Sequence, residues 1–156
     1  MIAKYWFLLH FSMALMATAV PASAISCPFH LPTSILTLNG QELVVELAYT
    51  PETRACGLSH RKTLKENAGM LFLFKDMRSR SFWMRDTHIP LSIAFMDESG
   101  KIVQMHQMAP DQTRTTYPSF RPVKFALEVN QGWFDRHAVK LGDTVKINLP
   151  SILNIK

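Results

Sequence analysis

Residues 69–97 read GMLFLFKDMRSRSFWMRDTHIPLSIAFMD, and this stretch decides the fold. Three runs in it, 70–74, 81–84 and 91–96, are apolar and aromatic enough for strands, and polar elbows at 75–80 and 85–90 separate them. Each run has about the length of an ordinary strand, so the stretch predicts a folded-back meander near the middle of a sheet. The second elbow gathers Arg85, Asp86, Thr87 and His88 beside Trp83, the densest concentration of polar chemistry in the chain.

Working outward, residues 35–38 and 42–48 form two strands about Asn39-Gly40, a strong hairpin signal. Leu43, Val45 and Leu47 alternate with polar or exposed positions, the pattern of a half-buried strand. Thr50-Pro51-Glu52 opens a short helix with a hydroxyl cap, a proline at the first helical position and a carboxylate at the positive end, and Gly57 stops it. Residues 62–68 read as polar loop. Ser99-Gly100 turns the chain into a strand at 102–108, and residues 109–122 form the longest irregular stretch, expected to border a functional pocket. Residues 123–130 alternate, with Val123, Phe125, Leu127 and Val129 inward and Glu128 on the other face. A helical turn presenting Trp133 and Phe134, then a closing strand at 144–149, complete an α+β fold dominated by antiparallel sheet.

The N-terminus sets the address. Lys4, an apolar segment over 5–20 and Ala22-Ser23-Ala24 have the three parts of a secretory signal, predicting cleavage after Ala24 and a periplasmic or secreted protein. The alternatives are a membrane anchor, for which the segment is short and diluted by His10, Ser12 and Thr18, and a lipid on Cys27, for which Ala24-Ile25-Ser26 is a poor signal. The expected organisation is signal 1–24, extended lead 25–34, one β-rich domain 35–150 and a tail 151–156. The net charge is +5 with the charges interspersed, which predicts no nucleic-acid partner, and no stable membrane insertion is expected after cleavage. The two cysteines, Cys27 and Cys56, survive cleavage. In an oxidising compartment a structural bridge between them is expected, with two separate thiols as the alternative.

Arg54, Arg61, Trp83, Arg85, Asp86, His88 and Glu128 form the leading candidate site, suited to holding a small polar ligand: guanidinium forks grip carboxylate or phosphate, and the indole supplies an apolar platform. The bland alternative is internal salt bridging at the sheet ends. Two further readings come from other classes. Asp86 with Glu128 is a carboxylate pair of the hydrolase type. Met84, Met105, His106 and Met108 are soft ligands of the kind that select Cu(I), although Met105 and His106 point to opposite faces of a strand. No cofactor is indicated. The expected partner is a small polar ligand or an envelope protein, bound without catalysis.

In order along the chain stand Arg54-x-x-Gly57-Leu58-x-x-Arg61, Gly69-Met70-Leu71-Phe72, Phe82-Trp83-Met84-Arg85-Asp86-Thr87, Ile89-Pro90-Leu91, Leu127-Glu128 and Gly142-Asp143. This ordered set resembles the domain of unknown function 192 family over roughly 36–149. The resemblance implies a small secreted or periplasmic β-rich domain with a curved, barrel-like sheet and short helices, and no established activity. Two positions depart from the family pattern, which commonly has asparagine where this chain has Asp86 and aspartate where it has Ser92.

Overall fold

In this computed structural model, which describes Cys27, residues 29–151, Leu153 and Ile155, Asn39 and Gly40 both take positive φ, at 49° and 77°. They turn β1 (Thr33–Leu38) tightly into β2 (Gln41–Ala48), pairing Leu38 with Gln41. The short helix α1 (Pro51–Cys56) follows from its caps. Thr50 and Thr53 exchange side-chain to backbone hydrogen bonds at its start, Thr53 Oγ1 accepting from Thr50 N at 2.9 Å and Thr50 Oγ1 from Thr53 N at 3.3 Å. Gly57, with φ 50°, ends it.

The chain then supplies β3 (Ala68–Arg78), β4 (Ser81–Phe82), β5 (Leu91–Met96), β6 (Ile102–Met108), β7 (Tyr117–Pro118), β8 (Val123–Asn130), α2 (Trp133–Arg136) and β9 (Lys146–Ile147). Seven strands make one sheet in the order β6-β5-β8-β3-β2-β1-β9, antiparallel except for the β2–β3 pair, while β4 and β7 form a separate two-stranded ribbon. The α+β, mainly antiparallel reading therefore holds. The central meander does not. β8 inserts between β3 and β5, and β4 leaves the main sheet for β7. The reason is burial: on β8, Phe125, Leu127 and Val129 pack into one cluster and Ala126 into the other, so this strand belongs where both faces are covered. Gly69 permits the close approach, since a Cβ there would stand 2.5 Å from the Glu128 carbonyl oxygen. β3 also runs on to Arg78, into the elbow expected at 75–80, with a register break between Leu73 and Arg78 and its charged end outside.

Two apolar clusters sandwich the sheet. Leu43, Leu71, Leu73, Leu127 and Trp133 belong to the first, and Leu58, Met70, Phe72, Ile93 and Phe95 to the second. Each fully buried side chain of this size contributes about 1.5–3 kcal/mol. The sheet curves without closing into a barrel: its ends meet only at the Lys101–Thr144 bridge and a few bonds around it, such as Ile102 N to Asp143 O at 2.8 Å. Cys27 and Cys56 are disulfide-bonded, which fastens the lead to the end of α1. No helix among the described residues is long and apolar enough to cross a membrane. The expected signal, 1–24, lies outside the described residues.

Candidate functional site

Glu128 comes from the middle of β8, flanked in register by Met70 of β3 and Ile93 of β5, so alternation sets its carboxyl on the apolar second face of the sheet. It is 4% exposed and has no hydrogen-bond or ion-pair partner among the described residues. Burial pushes its pKa up to about 8, and the group is protonated at neutral pH. An unpartnered buried polar group costs roughly 1–3 kcal/mol, and such a cost is commonly tolerated at functional sites.

The carboxyl lines a cavity of about 40 Å³ together with Arg54 and Leu58 from α1 and its exit, Phe72 from β3, Phe82 from β4, and Trp83, Arg85 and Thr87 from the elbow. Glu128 and Thr87 are buried whereas Trp83 and Arg85 are exposed, so the first pair marks the inner end and the second the mouth. Two T-shaped contacts, Phe82 against Phe72 at 4.8 Å and against Phe95 at 5.6 Å, fix the inner wall. Beyond lies a wider groove of about 330 Å³, lined by Arg54, Phe74, Arg80, Phe82 and Trp83. Here two guanidiniums share one ring: Arg80 lies 4.1 Å and Arg54 5.3 Å from the Phe74 centroid. Burial, and then the neighbouring Arg80 charge, pull the Arg54 pKa below its ordinary value. Arg54 Nη1 donates to the carbonyls of Tyr49 and Leu73 at 2.9 and 3.0 Å, and Arg85 stacks on Trp83 at 4.0 Å.

Four of the seven residues singled out in the sequence, Arg54, Trp83, Arg85 and Glu128, therefore line one cleft. The other three lie elsewhere. Arg61 forks onto Glu46, with Nη2 to Oε2 at 2.7 Å, and lines a separate cavity with His30 and His60. Asp86 is exposed; it sits at φ 57°, and its carbonyl oxygen accepts from His60 N at 2.7 Å. His88 bonds Asp111 at 2.8 Å, on the surface. No residue of the 109–122 loop lines the cleft; Asp111 ties that loop to the elbow through His88 and through the Thr87 carbonyl. Of the soft ligands, Met105 packs against the first cluster and Met108 within the second, while His106 Nε2 lies 2.9 Å from the Pro118 carbonyl oxygen. The sequence reading missed Phe72 and Phe82 as lining residues.

The DUF192 family model, described as "Uncharacterized ACR", matches residues 34–147. The chain belongs to the DUF192 family. Among solved structures this DUF192 chain is similar to a putative transcription regulator from Sinorhizobium meliloti, at 31% identity and a TM-score of 0.72, covering 77% of this chain and 97% of that one. It is also similar to a protein of unknown function from Novosphingobium aromaticivorans, at 31% identity and a TM-score of 0.70, covering 84% and 99%. No curated protein matches it. Asp86 and Ser92, the two positions where the resemblance led us to expect a departure from the family pattern, have structural duties here. The left-handed backbone of Asp86 suits asparagine and aspartate alike, and Ser92 Oγ accepts from Gly132 N at 3.0 Å, holding the turn into α2.

Proposed function

We infer that this DUF192 domain is exported and binds a small polar molecule, without turning it over, in the cleft between α1 and the 82–87 elbow. The observation that carries this reading is Glu128, a buried carboxyl with no partner among the described residues, lining a cavity that opens beside Trp83 and Arg85. A protonated acid in such a place donates a hydrogen bond, which is how apolar sites present a carboxyl to a ligand. The Cys27–Cys56 disulfide supports the exported address, since such bonds persist in oxidising compartments. The lead over 25–34, fastened by that bond, and the domain over 35–150 make up the mature protein on this reading.

Mass spectrometry of the mature chain tests the address, with a start at Ile25 expected and retention of 1–24 in a membrane fraction counting against it. A thermal-shift screen of periplasmic metabolites, glycans and metal ions tests the binding. A ligand at 100 times its Kd adds about 2.7 kcal/mol, a readily measured shift. A hit abolished by Trp83→Ala and by Glu128→Leu supports the cleft. Turnover of the hit removes the non-catalytic half of the reading. No hit, together with recovery of an envelope protein in a pull-down, makes this an interaction module instead.

A further inference from the structure

We propose that the cleft ligand is an organic anion, carboxylate or phosphate, whose negative charge sits by Arg54 and Arg80 over Phe74 while a narrow hydrogen-bond-accepting head points at Glu128. This rests on the binding reading above and names the class of molecule bound.

Size sets the orientation. The inner cavity, about 40 Å³, admits one small group, whereas the adjoining groove, about 330 Å³, has room for the body of a metabolite. Charge sets the class. Arg54 lines both spaces and Arg80 the outer one. Their guanidiniums stack on the same ring, and the charge of Arg80 disfavours that of Arg54. An anion between them relieves that repulsion with charge-assisted bonds, while a cation adds to it. Two carboxylates, Glu52 and then Asp76, favour the Arg54 charge, and Asp76 is already engaged by Arg78 and Arg80.

The surroundings of Glu128 fit an accepting head. Arg54 on α1, whose Nη1 donates to the Tyr49 and Leu73 carbonyls, and Arg85 on the elbow are the charged groups lining its cavity. Its register partners on β3 and β5, Met70 and Ile93, carry no charge. Beyond β5, the His106 ring is held by Gln104 and the Pro118 carbonyl. The protonated carboxyl therefore donates to a carbonyl, hydroxyl or carboxylate oxygen, and loses that ability as it ionises above pH about 8.

The test uses the mature chain with two probe sets that hold the body constant and vary the charge. Glycerol, glycerate, glycerol 3-phosphate and 3-amino-1,2-propanediol form the first, and glucose, glucuronate, glucose 6-phosphate and glucosamine the second. Calorimetry should show the anion of at least one set binding tenfold or more tighter than its neutral and ammonium counterparts, and the carboxylate and phosphate arms tell which acid is preferred. Wild-type affinity for that anion should fall about tenfold between pH 7 and 9. Glu128→Gln, which keeps a donor, should hold its affinity across that range, and Arg80→Gln should erase the preference for the anion. Tightest binding of the ammonium members, equal binding of all charges, or affinity that rises with pH overturns the proposal. Silence from all eight probes also overturns it, while a neutral or cationic hit in the wider screen leaves the binding reading standing alone.

Discussion

Glu128 on β8 is the antiparallel register partner of Met70 on β3, so a carboxyl faces a thioether within a buried stretch of the sheet. With a folded-state pKa of about 8 against an ordinary value of 4.5, the folded protein holds this proton where the unfolded chain has released it. The stabilising effect of that proton is therefore complete below about pH 4.5 and is lost as pH rises to about 8, with no further loss above. Each tenfold difference in proton affinity is worth about 1.4 kcal/mol, so the loss amounts to several kcal/mol. Urea denaturation at pH 5, 7 and 9 should show Glu128→Gln gaining on wild type as pH increases. Parallel pH profiles for the two proteins would contradict this.

Asp86 matters for its backbone. With φ at 57°, it occupies a conformation that costs most side chains about 1–2 kcal/mol and asparagine little. Asp86→Asn should leave stability within about 0.5 kcal/mol and ligand affinity unchanged, while Asp86→Val should destabilise by more than 1 kcal/mol. A large loss of binding in Asp86→Asn would return the carboxylate to the site.

Arg61 and Glu46 form a forked pair whose side chains are 20% and 24% exposed, joining the loop after α1 to β2. Partial burial and two-point geometry place its coupling above that of an ordinary surface pair, at about 1–2 kcal/mol. A double-mutant cycle with Arg61→Met and Glu46→Gln measures it. The same variants should not alter ligand affinity, because neither residue lines the Glu128 cleft.

The Cys27–Cys56 bond links residues 29 apart in sequence. By the chain-entropy account, a loop of that length contributes about 3–4 kcal/mol, so Cys27→Ala paired with Cys56→Ala should lower the melting temperature by many degrees. Thiol labelling supplies the direct check: the unreduced mature protein should stay unlabelled, and the reduced protein should take up two equivalents.

The sequence by itself determined what neighbouring residues decide among themselves. Asn39 and Gly40 tolerate positive φ, so the first hairpin was legible. Thr50, Pro51 and Gly57 cap one short helix between them, so α1 was legible to within a residue. The alternation along 123–130 marked Glu128 as lying on the face opposite Leu127. Only the tertiary structure decided which strands lie side by side, because strand order is set by the apolar area the whole sheet covers. That is why β8 sits between β3 and β5, and why 81–82 joins β7. Partner choice among charges had the same origin. Arg61 and Glu46, and Arg80 and Phe74, meet because the curved sheet and its covering loops bring them together, and no local pattern specifies such a meeting. The unpartnered burial of Glu128 is likewise a tertiary outcome: β3, β5, α1 and the elbow close over it from four separate parts of the chain.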